Sequence, residues 1–194
     1  MALAKFNSSS NAGFSLIESL IAVMLMAGAI ATLAQLFALS TRTNVSAHYT
    51  TFAAVLAEQK LEELRALSWG FDTQGLPMSD TSTDTTVSPE TAIGGTGLQP
   101  SPSAALSENT VGYVDYVDAY GTKVQPGAGG NQTSSSIVYT RRWSITPLPT
   151  NPNNTLVIQV LVTRNKDRGQ ADQGDVARLP EEARMIAVRT RKAQ

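Results

Sequence analysis

Gly13-Phe14-Ser15-Leu16-Ile17-Glu18 opens an apolar run that continues to Ser40 and Thr41. The 23 residues Ser19–Thr41 contain no formal charge. At about 1.5 Å rise per residue, a helix of that length covers roughly 35 Å, enough to cross a bilayer core of about 30 Å. Glu18 is the unusual residue, because an ionisable group at a membrane-competent helix is costly and points to function. The plainer reading makes Glu18 a solvated end residue at the level of the lipid headgroups.

Outward from that run, Phe14 to Leu67 holds no proline and a single glycine, Gly28, which predicts one long helix. Beyond Thr41 the pattern becomes amphipathic. Tyr49, Phe52, Ala53, Leu56, Leu64 and Leu67 share one helical face, with Glu58, Glu62 and Arg65 opposite. Lys60 falls on the apolar face, where its stem is expected to pack while the ammonium snorkels outward. Ser68-Trp69-Gly70 reads as the stop, with Gly70 as the C-cap. Residues 71–110 are rich in Ser, Thr, Gly, Pro and Asp and read as a loop, either functional or a floppy insertion.

The remainder, 111–194, carries strand patterns. Val111–Tyr120 reads as a short strand. In Ser136–Thr146, Ile137, Tyr139, Arg141, Trp143 and Ile145 share one face. Leu156–Arg164 follows the turn signal Pro147–Asn154, and Arg184–Arg191 is the last strand. The last three runs, joined in series by turns, predict an antiparallel meander whose apolar face covers the amphipathic half of the helix, an α+β chain.

With 194 residues and a net charge of −1, the chain is expected to be one domain plus an anchor, or at most two small lobes, with no global basic field suited to nucleic acid. It has no cysteine, which excludes a disulfide framework, a thiolate metal site and a cysteine nucleophile. The segment before the apolar run, Met1–Gly13, is polar and holds one basic residue, Lys5. A secretory signal peptide would place its cleavage site after the apolar core, whereas here the glycine precedes it. An uncleaved signal anchor is the alternative. Lys5 and Arg42 flank the run almost evenly, so charge counting leaves its orientation open.

The segment GFSLIESLIAVMLMAGAIATLAQL resembles the leader junction and N-terminal helix of type IV pilins and type II secretion pseudopilins. LAEQKLEELRAL, the Arg-Arg-Trp strand and the late RTR strand are similar to PilV-type minor pilins and tip-proximal pseudopilins. The resemblance implies the pilin fold, with 1–13 as leader, 14–41 as transmembrane and filament-core helix, 42–70 as its amphipathic continuation, 71–110 as the variable loop and 111–194 as the sheet headgroup. It implies cleavage between Gly13 and Phe14 by a prepilin peptidase, N-methylation of Phe14, and subunit docking through Glu18. The implied partners are that peptidase and methyltransferase, other pilins or pseudopilins, and an inner-membrane assembly platform. The headgroup would lie outside the cytoplasm, in a pilus or a periplasmic pseudopilus. The family's common helix proline is missing, with Gln35 in roughly that region, so no sharp kink is expected. The disulfide of many major pilins is impossible here.

Other features have plainer readings beside functional ones. Ala22, Ala27, Gly28, Ala29, Ala31 and Ala34 permit close helix approach or are ordinary lipid-facing composition. Arg141-Arg142-Trp143 is a binding patch or, more simply, a core tryptophan with edge arginines. Asp167, Asp172 and Asp175 could hold calcium but lack EF-hand spacing. Arg184, Arg189, Arg191 and Lys192 could meet phosphates or form a solvated face. Catalysis has little to build on: the one histidine, His48, lies on the helix with no apparent triad, and Gly94, Gly95 and Gly97 lack a following Lys-Ser/Thr. No enzyme activity, cofactor or metal is expected. The sequence thus favours a structural filament subunit acting in assembly initiation or filament modification. A membrane-tethered periplasmic binding module, or a pilus subunit for DNA uptake, is the alternative.

Overall fold

The computed structural model describes residues 13–125, 136–165 and 181–191. The chain divides into two compact units, Met1–Val45 and Ser46–Gln194. Helix α1 (Leu16–Ala66) contributes to both.

In the first unit the helical residues are exposed on every side, including Leu16 at 85%, Leu25 at 71% and Phe37 at 67%. Such a surface is unsuited to water, and by length and composition α1 is long and apolar enough to cross a membrane. Several of its hydroxyls bond within the helix. Thr32 Oγ1 donates to Ala29 O at 2.8 Å and Thr41 Oγ1 to Phe37 O at 2.9 Å. This back-bonding lets polar side chains sit in an apolar stretch without an unpaired donor.

In the second unit, α1 from Ser46 onward is joined by a hairpin, β1 (Trp69–Phe71) with β2 (Pro77–Ser79), and by a four-stranded sheet. The sheet consists of β3 (Val114–Val117), β4 (Tyr139–Pro147), β5 (Thr155–Arg164) and β6 (Ala183–Thr190), antiparallel in sequence order. The layout is α+β, and the meander has four strands.

The register sets the core. Trp143 lies opposite Val160, which lies opposite Met185, and Ile145, Ile158 and Ala187 form the next row. Cross-strand partners share a face. These residues meet Ala53, Leu56, Ala57 and Leu64 of α1 in one cluster. Helical residues three and four apart form the matching stripe. Phe52 and Tyr139 close one end with ring centroids 5.4 Å apart.

Two features of the helix end differ from the sequence expectation. Gly70 is not a C-cap but lies in β1 opposite Met78. Arg189 of β6 caps the helix instead, donating from Nη1 to Leu64 O at 3.1 Å and from Nη2 to Leu67 O at 2.6 Å. A cation here satisfies orphan carbonyls and opposes the negative end of the helix dipole.

The 71–110 segment has more structure than its composition suggests. It contains β2, a bridge between Asp84 and Thr91, and the core residues Leu98 and Ala105. Asp80 draws one turn together, accepting from the Ser82 and Thr83 amides and from Thr83 Oγ1. At Gly95 a Cβ would lie 2.2 Å from Asp84 Cα, so the backbones approach too closely for any other residue.

Replacing Arg189 with leucine should cost about 1–3 kcal/mol by leaving the last carbonyls of α1 without donors. Chemical denaturation of the whole chain in detergent measures that loss. Amide exchange in the final turn of α1 should accelerate; unchanged exchange there would rule out the cap.

Candidate functional site

The residues singled out at the N-terminus occupy one helix start. Gly13, Phe14 and Ser15 precede α1 in irregular backbone and are exposed, Phe14 at 81%. Ser15 is the N-cap: its Oγ accepts from the Glu18 amide at 3.3 Å, and its carbonyl accepts from the Ser19 amide at 3.1 Å. Ser-x-x-Glu is the sequence signature of a capping box. The carboxylate of Glu18 also stands in the first helical turn, where the positive end of the dipole favours an anion. Glu18 is exposed, so its side chain is presented outward.

A second set of charged residues is buried in the unit from Ser46 onward. The sheet register places Asp115 of β3 directly opposite Arg141 of β4. The guanidinium grips the carboxylate in a two-pronged pair, Nε to Oδ1 at 2.7 Å and Nη2 to Oδ2 at 2.8 Å. Lys60 of α1 adds a third contact, with Nζ 3.1 Å from Asp115 Oδ2. All three side chains are at most 1% exposed. Lys60 also pairs with Glu63 at 3.1 Å, donates to the Thr85 carbonyl, and lies 3.9 Å from the centre of the Trp143 ring. Lys123 meets the same Glu63 at 3.0 Å and the same Thr85 carbonyl at 2.9 Å.

This geometry corrects two expectations. Lys60 does not snorkel outward. Its position on the buried stripe turns the ammonium into the core, where Asp115 and Glu63 compensate it. Nor is Arg141 an edge arginine, since it shares the inward face with Trp143 and is fully buried. Arg142 faces the other way and holds Asn109 Oδ1 through Nε at 2.9 Å and Nη2 at 2.8 Å.

Burial pushes the Lys60 ammonium below its ordinary value despite the neighbouring carboxylates. For Asp115, burial acts upward, but Lys60 and Arg141 outweigh it and hold the carboxyl below the usual carboxylate range. Both carboxylate oxygens are engaged by cations, which makes the cluster a clamp between helix and sheet.

The late arginines also have defined contacts. Arg164 stacks 3.6 Å over the Tyr49 ring and pairs with Glu181 at 2.9 Å. Arg191 stacks 3.5 Å over Trp69 and donates to backbone carbonyls of Gly70 and Asn153. His48 makes an edge-to-face contact with Tyr49. Among the described residues no group of three or more His, Cys, Asp or Glu is placed to hold a metal. Asp167, Asp172, Asp175 and Lys192 lie outside the described residues, as do residues 1–12.

The signal for the clamp was present in the sequence as a lysine on an apolar helical face and an arginine on an apolar strand face. Its missing member was Asp115, whose partner could be identified only from the strand register. No family model, no curated protein and no solved structure matches the chain.

Asp115→Asn would leave Lys60 and Arg141 buried with one negative charge fewer, at a cost of about 3–5 kcal/mol. The pH dependence has a definite sign. The unfolded chain binds the Asp115 proton more readily than the folded one, so the stabilisation is present above about pH 4 and is lost as pH falls through the folded value. Thermal unfolding followed from pH 7 to pH 3 should show wild type and Asp115→Asn converging in acid. Parallel curves would rule out the clamp.

Proposed function

We propose that this chain is a structural subunit of a type IV pilin-like filament, a minor pilin or pseudopilin with the pilin fold. The carrying observation is the change of surface along α1. Its residues before Ser46 are predominantly apolar and exposed all round, whereas from Ala53 onward it buries a stripe against an antiparallel sheet. One helix thus offers an anchor segment and a headgroup segment. The Gly13–Ser15 backbone ahead of α1 is irregular and exposed, suited to a peptidase.

On this reading, prepilin peptidase cuts between Gly13 and Phe14 and the new amine of Phe14 is methylated. The amine stays basic, and it pairs with Glu18 of a neighbouring subunit. In a low-dielectric filament core either charge alone would be costly, so a slipped subunit is disfavoured and one axial register is selected. Before assembly the subunit resides in the bacterial inner membrane with its headgroup outside the cytoplasm. It then joins other pilins or pseudopilins through the assembly platform. Its task is assembly initiation or filament modification.

Mass spectrometry of filament-borne protein should give an N-terminal methylated Phe14; an intact Met1 would refute processing. Glu18→Ala should still insert into the membrane but lose incorporation into filaments at least about tenfold, the effect of losing a buried charge pair. Undiminished incorporation would refute docking through Glu18, and membrane retention of wild type without any filament would favour a tethered binding module.

A further inference from the structure

A cleft of about 230 Å³ opens where the β1–β2 hairpin meets the loop between β4 and β5. Its apolar walls come from Leu98, Leu156 and three prolines, Pro100, Pro147 and Pro152. Trp69, Ser79 and Arg191 also line it. We propose that this cleft binds a carboxylate carried on an amino-acid-sized apolar body.

The reason is a local surplus of donors and of positive charge. Arg191 is 9% exposed and pairs with no carboxylate among the described residues. Its partners are all neutral: the carbonyls of Asn153, Gly70 and Met78, the Ser79 hydroxyl, and the Trp69 ring. A guanidinium has five N–H groups, and these four hydrogen bonds leave one on Nη2 without an acceptor among the described residues. Ser79 Oγ accepts from Arg191 at 2.6 Å, and its own proton has no acceptor among the described residues. Trp69 Nε1 is one of two buried side-chain polar atoms in the described residues with no hydrogen-bond partner. The other, Trp143 Nε1, is in the core beneath Lys60.

Arg191 and Ser79, each with a spare donor, therefore border one cleft beside the Trp69 ring, while the carbonyls around Arg191 are already used. Buried donors without acceptors are uncommon in folded proteins and call for a missing partner. The one charged side chain lining the cleft is a cation, which disfavours a cationic ligand and favours an anion. A single carboxylate supplies one negative charge and several lone-pair sites, matching a single arginine, and its bond to a guanidinium is charge-assisted. A doubly charged phosphate would bring two charges to one. Burial already presses the Arg191 guanidinium downward from its ordinary value, a penalty that an anion would relieve. The small volume and proline walls limit the attached body to the size of one side chain or a small organic acid.

The acid could be free or the side chain of a protein partner, and the test separates these sources. The full chain in detergent micelles has two indole N–H signals, from Trp69 and Trp143, assigned with Trp69→Phe. Benzoate should shift the Trp69 signal saturably and leave that of Trp143 in place. Benzamide, of the same shape but neutral, should bind at least about tenfold more weakly, as expected for loss of a charge-assisted bond. N-acetyl-Ala-Glu-Ala-amide is the second probe: tighter binding than benzoate assigns the cleft to an acidic side chain, weaker binding to free acids. Arg191→Gln should abolish the shift. Because Arg191 also fastens the hairpin, Ser79→Ala, which keeps the charge, should weaken benzoate severalfold. Equal shifts with benzoate and benzamide, no Trp69 shift with either acid, or undiminished benzoate binding in Ser79→Ala would overturn the proposal.

Discussion

The fold of the second unit depends on matching one buried carboxylate, Asp115, with cations from two other elements. Arg141 reaches it across the sheet and Lys60 reaches it from the helix. Hydrophobic packing alone tolerates sliding, because one aliphatic contact substitutes for another at modest cost. Buried charges are less forgiving, since a helix displaced along the sheet would strand Lys60 and leave Asp115 short of a partner. The Lys60 ammonium also lies over the Trp143 ring, so the same group meets the apolar core and its electrostatic centre. Glu63 and Lys123 extend the network to the Thr85 carbonyl, which ties the serine- and threonine-rich segment to the helix.

The final strand adds a second set of constraints. Arg189 and Arg191 follow the alternation of β6 and come off the same side of the chain. One satisfies the end of α1 and the other holds the hairpin that follows it. The transition from helix to loop is therefore fixed by residues more than a hundred positions later in sequence. A glycine cap would have ended the helix locally. Here the end of the helix is completed only when the sheet is.

Much of this was readable from periodicity. The long helix follows from the lack of proline between Phe14 and Leu67, and β4 and β5 follow from alternation in Tyr139–Ile145 and Leu156–Val162. What was not readable depends on partners distant in sequence. A lysine on an apolar helical face ordinarily sends its head to solvent, and only the register of Asp115 against Arg141 shows why Lys60 turns inward. Gly70 looked like a stop because helix C-caps favour glycine, yet the short β1 strand recruited it. The 71–110 segment looked structureless because its order comes from polar side chains bonding to nearby backbone, as at Asp80, rather than from hydrophobic periodicity. At the N-terminus, the Ser15–Glu18 pairing was visible as Ser-x-x-Glu but was masked by the prominence of the acid itself.

That cap separates two events at the start of the chain. Ser15 supplies the acceptor for the first turn of α1, and it lies on the retained side of a cut between Gly13 and Phe14. On the proposed processing, such a cut would change the charge and length of the terminus while leaving the helix nucleus intact. The electrostatics of the terminus would then switch without requiring any part of the helix to form anew.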